Sequence, residues 1–248
     1  MIKAITFDFW NTLYNASSYA RSLRMRFLAE LLTKNQIDLA PEQIETAEGI
    51  ARDEWNRIWR EDYRTPSSAE WLHWMFDDLD ITLPPHDLDA LAAYFDRSLL
   101  EADPGPALID GAADTIRRLA QRYSLGIISD SGLSTGRTLR EVIRRDGLLE
   151  CFTCQTFSDE LGVSKPHARA FRSTLDCLDV SPAEAVHLGD LIRSDIAGAK
   201  LAGMPAVRFA ANYDDPDRSV EPDAVVRSYA EFERWLERQA QQADQPRR

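Results

Sequence analysis

Asp8-Phe9-Trp10-Asn11-Thr12-Leu13 carries one residue whose chemistry suits its setting and one whose chemistry does not. It follows Ile2-Lys3-Ala4-Ile5-Thr6-Phe7, a short apolar-leaning run that reads as a buried β-strand. An acid at the C-terminal end of such a strand stands where open α/β sheets place their chemistry. Later apolar runs deliver further polar residues. Ser129 closes Leu125-Gly126-Ile127-Ile128, and Asp190 follows Ala185-Val186-His187-Leu188-Gly189. Two carboxylates at one sheet end, Asp8 and Asp190, ionise together at neutral pH only with a cation between them. Trp10, two residues after the first acid, offers neither a charge nor a proton.

The elements that must position these groups fall into two kinds. Residues 17–100 read as helical throughout. Tyr19 to Lys34 has a stripe of Leu23, Phe27, Leu28, Leu31 and Leu32, and Pro41 opens a second helix toward Arg60. Ser67-Ser68-Ala69-Glu70 supplies cap residues before Trp71, Leu72, Trp74, Met75 and Phe76; Pro84-Pro85 interrupts, and Asp87 to Leu100 resumes the pattern. After the Pro/Gly cluster at 103–106, strands are predicted at 125–129, 152–157, 185–188 and 206–209. Helices alternate with them at 111–122, 133–146, 167–178 and 194–202. That alternation predicts an α/β fold, a three-layer Rossmann-like sandwich with a parallel sheet. Residues 1–16 and 103–248 are expected to form this core, with an α-helical cap domain at 17–102. The polar tail 239–248 is expected to be frayed.

Bulk properties exclude several classes. The 248 residues are 44% hydrophobic and 28% charged, with no apolar stretch long enough for a membrane span. Met1 leads almost directly into the first strand, which leaves no room for a signal peptide. A net charge of −12, from 29 basic and 41 acidic residues, argues against a nucleic-acid backbone binder. A cytoplasmic monomer or small homo-oligomer is expected, with no membrane and no nucleic-acid partner. Cys151 and Cys154 are spaced C-x-x-C, but with Cys177 and four histidines they make neither a disulfide framework nor a convincing zinc set, and read as ordinary strand residues.

With these motifs in view, the chain resembles the haloacid dehalogenase (HAD) superfamily, whose first motif is usually Asp-x-Asp-Gly-Thr-Leu. The resemblance covers roughly 2–14 and 108–237. It implies that Asp8 is the nucleophile and that Thr12 positions the motif loop. Ser129 matches the second motif and would hydrogen-bond a transferring phosphoryl oxygen. Lys165, in Gly162-Val163-Ser164-Lys165-Pro166, matches the third and would neutralise charge there. Gly189-Asp190-Leu191-Ile192-Arg193-Ser194-Asp195 is similar to the fourth, whose acids hold Mg2+. The implied metal set is Asp8, the main-chain carbonyl of Trp10, Asp190 and Asp195, the last also suited to orienting a metal-bound water or Lys165. The helical segment matches the position of the superfamily's mobile cap.

This chain departs from the pattern at Trp10, where the family has its general acid/base Asp. General acid–base catalysis contributes about 10²–10⁴-fold, and its loss penalises alkyl phosphates most because an alkoxide leaves poorly. Glu54, Glu61, Asp62 and His73 of the cap are candidate replacements; each also reads as a solvated helix residue. L-2-haloacid dehalogenases carry an aromatic at the matching place but lack the Gly-Asp pair kept here as Gly189-Asp190. Phosphonoacetaldehyde hydrolases need a cap lysine, and Lys34, near a helix end, is the only one available. Asp130 stands where dehalogenases have Asn, and reads as a loop or helix-capping acid. Trp55, Trp59, Trp71 and Trp74 read either as cap core or as a lid surface. Arg52, Arg57, Arg60 and Arg64 either orient an anion or form solvated pairs with their acidic neighbours.

The expected function is a Mg2+-dependent HAD-type hydrolase, a phosphatase acting on a small phosphorylated or anionic metabolite through an aspartyl-phosphate at Asp8. The alternatives are a catalytically weak Mg2+/phosphate-binding or interaction module, and a dehalogenase-like hydrolase.

Overall fold

The computed structural model describes residues 1–16 and 18–243. Six strands form one parallel sheet in the order β3-β2-β1-β4-β5-β6. They are β1 (Ala4–Phe7), β2 (Ser124–Ser129), β3 (Cys154–Phe157), β4 (Ala185–Gly189), β5 (Ala206–Phe209) and β6 (Ala224–Val226). The first strand is central because it is apolar on both faces. Ile5 and Phe7 enter a cluster with Ile116, Val142 and Phe232, whereas Ala4 packs with Phe171 and Ile196 on the other side. These two layers come from α5 (Ala112–Leu119), α6 (Gly136–Arg145) and α10 (Tyr229–Ala243) on one face, and from α8 (Ala168–Leu178) and α9 (Ala197–Leu201) on the other. The expected Rossmann-like α/β sandwich is present.

Between β1 and α5 lie four helices: α1 (Arg21–Lys34), α2 (Pro41–Glu61), α3 (Ser68–Leu79) and α4 (Pro85–Arg97). They share a third apolar cluster that includes Leu28, Leu31, Ala47, Ala51, Trp71, Leu72, Met75, Leu91 and Phe95. Ser67 starts α3 with the expected capping box, accepting from the Glu70 N–H at 3.2 Å while its own N–H donates to Oε2 of Glu70 at 2.8 Å. A one-turn helix, α7 (Ser158–Leu161), follows β3. No described helix is long and apolar enough to cross a membrane.

Some expectations are corrected. Strand β6 was not predicted; it is three residues long and carries little pattern. The helix expected at 194–202 begins as a π-helical turn at Ile192–Ile196. Residues 239–243 continue α10 instead of fraying, and the rest of the tail, like the expected boundary residue 17, lies outside the described residues. Cys154 on β3 and Cys177 on α8 form a disulfide with Cα atoms 6.2 Å apart, while Cys151 is free. That pairing joins residues 23 apart in sequence, brought together by α8 packing over β3.

Candidate active site

Register brings the strand-end groups together. Phe7 pairs with Leu188 on one side and Ile127 on the other, and the Asp8 N–H donates to the Leu188 carbonyl at 2.9 Å. Asp8 therefore lies beside the end of β4, where Gly189 and Asp190 follow. A Cβ at Gly189 would stand 2.4 Å from Cγ of Asp195, so only glycine lets that carboxylate fold back against the strand. Asn11 sits at φ +55, a conformation Asn tolerates better than most residues, and its Nδ2 donates to Asp190 Oδ2 at 3.1 Å. Asn11, standing where the resembled motif usually has glycine, thus keeps the turn and adds a hydrogen bond.

Carboxylate oxygens of Asp8, Asp190 and Asp195 all lie within 4.8 Å of one another, and all three residues are buried. The Lys165 ammonium contacts both Asp8 and Asp195, the latter at 2.6 Å. Burial alone would raise Asp195, yet Lys165 and His187 hold its carboxyl well below the usual range. Burial depresses Lys165 in turn, but Asp195 and Asp8 overcome it and hold the ammonium charged. Asp8 is raised to about 7 by burial against the pull of Lys165. Asp190 is raised to about 8 by burial and by repulsion from Asp8 and Asp195. Asp8 and Asp190 are hard oxygen donors whose joint ionisation needs another cation, so these residues fit a Mg2+ ion. Asp195 is otherwise engaged: Oδ1 meets Lys165 and His187, and Oδ2 accepts from the Leu191 N–H at 3.0 Å.

His187 went unnoticed in the sequence, although an imidazole in an otherwise apolar strand was a visible signal. It is fully buried, with Nε2 3.2 Å from Asp195 Oδ1 and Nδ1 2.9 Å from the Thr6 hydroxyl. Burial lowers its pKa and keeps it neutral. A carboxylate can only accept, which assigns the proton to Nε2 and makes Nδ1 the acceptor from Thr6.

A cleft of about 350 Å³ covers these groups, lined by Asp8, Trp10, Trp59, Asp130, Lys165 and Asp190 among others. Trp10 is part-buried and packs edge-on against Phe9, with ring centroids 4.8 Å apart. Ser129 and Thr12 are buried beside the cleft but do not line it. Ser129 Oγ reaches only the Asp130 carbonyl, at 3.4 Å, and the Thr12 hydroxyl has no partner among the described residues.

None of the four candidate cap acids enters the cleft. Glu54 and Glu61 pair with Arg57, Asp62 lies 3.8 Å from the same guanidinium, and His73 is exposed beside Asp77. Lys34 is bound to Asp87 at 2.7 Å. The tryptophans divide: Trp71 is cap core, whereas Trp55 and Trp59 stack and line the cleft. Asp130 is not a helix cap. Its Oδ1 accepts from the Lys165 N–H at 2.9 Å and its Oδ2 from the Trp59 indole at 2.8 Å. Arg193 stacks over the Trp59 ring at 4.1 Å. The loop after α2 also docks on the core, since Thr65 Oγ1 bonds Ser158 at 2.6 Å and Ser164 at 2.8 Å.

A family model described as haloacid dehalogenase-like hydrolase matches residues 2–203. The sequence is 29% identical over 228 residues to a glyceraldehyde 3-phosphate phosphatase of Methanopyrus kandleri, covering 90% of this chain and 91% of that one. Among solved structures it is similar to a 2-haloacid dehalogenase from Pseudomonas syringae pv. Tomato DC3000, with TM-score 0.74 and 25% identity over 96% of this chain and 100% of that one. It is also similar to a HAD phosphatase from Thermococcus onnurineus, with TM-score 0.60 and 26% identity over 95% and 98%.

Proposed function

This chain belongs to the haloacid dehalogenase-like hydrolases, and from that premise we propose that it is a Mg2+-dependent phosphatase for a small phosphorylated metabolite. The observation that carries the proposal is the placement of Lys165 between Asp8 and Asp195, with Asp190 in the same buried cluster. Asp8 attacks phosphorus; an Asp8 oxygen–phosphorus bond forms as the bond to the leaving oxygen breaks, and water later releases phosphate from the aspartyl-phosphate. Lys165 neutralises charge between nucleophile and phosphoryl group, and Asp195, held by His187, keeps the ammonium in place. Asp8, Asp190 and the Trp10 carbonyl would hold the metal. When bound, Mg2+ supplies charge neutralisation at the phosphoryl oxygens. The tryptophans of α2 exclude water from the cleft.

Among the described residues, none of the cap acids weighed as a replacement lines the cleft, and Asp190 is placed at the metal. Both Asp130 oxygens already accept N–H groups, and Trp10 occupies the position of the family's proton carrier. The substrate therefore has a leaving oxygen that departs without protonation, as in acyl or aryl phosphates. Hydrolysis of acetyl phosphate, an aryl phosphate and an alkyl phosphate, with and without Mg2+ and with Asp8→Asn as control, tests this. The expected rates are graded by leaving-group acidity and abolished by the substitution. Equal rates on all three would overturn the leaving-group argument.

A second reading, halide displacement at carbon, draws on the aromatic Trp10 and on the similarity to a 2-haloacid dehalogenase. Turnover of a 2-haloacid that chelation leaves unchanged would favour it over phosphate hydrolysis.

A further inference from the structure

A second cavity of about 310 Å³ lies between cap and core, and Trp10 and Gly132 line both it and the catalytic cleft. Gly132, at φ +67, presents no side chain where the two meet. Within a chain of net charge −12, this cavity is cationic. Its charged lining is Arg21, Arg24, Arg52 and Glu48, and Glu48 is taken by Arg21.

Arg24 is held by neutral acceptors alone. Its Nε donates to the Phe95 carbonyl at 3.1 Å and to Ser98 Oγ at 3.0 Å, and its Nη2 to the same carbonyl at 2.8 Å and to Ser134 Oγ at 3.1 Å. No carboxylate among the described residues forms an ion pair with it. Burial pulls its pKa down to about 10, against the attraction of Asp96 and Glu48, so it is charged at neutral pH. Asp96 itself is bound by the Ser68 hydroxyl at 2.6 Å. An independent feature points the same way: Trp71 is 7% exposed, lines the cavity, and its buried indole N–H has no acceptor among the described residues. Ala20 and Arg21, also in the lining, start α1, which has no side-chain cap and no acid in its first turn. A part-buried guanidinium with no carboxylate partner and a buried, unmet N–H donor both call for an acceptor, and the guanidinium for an anionic one.

We propose that this cavity binds a second anionic group of the substrate, so that the molecule hydrolysed carries its phosphate at Asp8 and a carboxylate or second phosphate at Arg24. This extends the phosphatase reading and rests on it for the identity of the group at Asp8. Trp10 then acts as the wall against which the connecting carbon chain lies.

The test is binding to the Asp8→Asn protein, which cannot turn over substrate. Binding does not depend on leaving-group acidity, so stable alkyl phosphates stand in for the hydrolysed molecule: the probes are ω-carboxyalkyl phosphates and alkane bisphosphates of two to five carbons, with simple alkyl phosphates of matching length as reference. At least one doubly anionic probe is expected to bind tenfold or more tightly than its reference, and the two series identify the second anion as carboxylate or phosphate. Adding Arg24→Gln should erase that preference, and Arg24→Lys should retain part of it. Because Arg24 also ties α1 to α4, Trp71→Phe provides a second variant: it keeps an aromatic ring, removes the N–H, and should weaken the preferred probe about threefold. Equal affinities across all three series, or a preference that survives Arg24→Gln in a folded protein, would overturn the subsite. A clear preference in a protein whose Asp8 form hydrolyses no phosphate would instead retain the subsite and discard the phosphatase reading.

Discussion

The indole N–H of Trp59 on α2 donates to the carboxylate of Asp130, immediately after β2, at 2.8 Å across the cleft. Asp130 uses its other oxygen to hold the Lys165 main chain, so one acid joins the cap helix to the loop that carries the Lys165 ammonium. A hydrogen bond to a charged acceptor contributes about 1.5–3 kcal/mol. Trp59→Phe should therefore shift cap closure by roughly 10-fold or more. The expected outcome is a higher KM and faster hydrogen exchange in the 62–67 loop, with the β1 amides unchanged. Unaltered exchange in that loop would count against the link.

Trp10→Asp returns a carboxyl to the place where the family keeps its acid/base. Its effect should depend on the leaving group. Alkyl phosphate hydrolysis should rise, with a ceiling of about 10²–10⁴-fold from general acid catalysis, while acetyl phosphate hydrolysis changes little. A comparison of kcat for the two substrates reads this directly; parallel changes would show that Trp10 affects something other than the proton.

Asp195→Asn leaves the buried Lys165 with one fewer anion. Removing one partner of a buried ion pair costs about 3–5 kcal/mol, and both Asp195 and Lys165 are almost wholly buried. The variant should unfold at markedly lower denaturant concentration and lose most of its activity. Asp195→Glu, which restores charge without the geometry, should recover less than half of the stability loss. Wild-type stability in Asp195→Asn would show that Lys165 is balanced by Asp8 alone.

Stability and pH are linked through Asp8 and Asp190. Without metal these are raised to about 7 and about 8, whereas an unfolded carboxylate titrates near ~4. Over that interval the folded chain binds more protons than the unfolded one, so stability falls as pH rises, and the loss is complete above about 8. Asp195, held below its ordinary value, acts in the opposite sense only in acid: its contribution is present above ~4 and lost as pH falls further. In chelator, Tm should decline from pH 5.5 to 8, and Mg2+ should raise Tm more at pH 8 than at pH 5.5. A Mg2+ increment independent of pH would argue against binding at these two acids.

Much of this molecule was legible without coordinates. The short apolar runs at 4–7, 125–129, 185–188 and 206–209 are strands because a sheet buried on both faces demands such runs, and alternation with helices makes the sheet parallel. The acids after β1 and β4 and the lysine in the loop after α7 followed from the motifs, since each motif occupies a few consecutive residues. His187 was less legible: it reads as one more strand residue until Asp195 folds back over Gly189 to meet it. Whether a cap acid replaces the missing one stayed open in the sequence, because helix periodicity leaves open which face of α2 turns inward. Glu54 and Glu61 turn to Arg57, and Trp55 and Trp59 face the site.

The sequence by itself determined the α/β core, the helical insertion after β1, and the order in which polar groups reach the sheet end, because these depend on local hydrophobic pattern and short motifs. Only the tertiary structure decided that Trp59 meets Asp130, 71 positions apart, that Cys154 bonds Cys177, and that Arg24, in a cavity shared with Trp10, pairs with no carboxylate among the described residues. Those relationships arise where cap meets core or helix meets sheet, and packing of distant surfaces leaves no periodic trace along the chain.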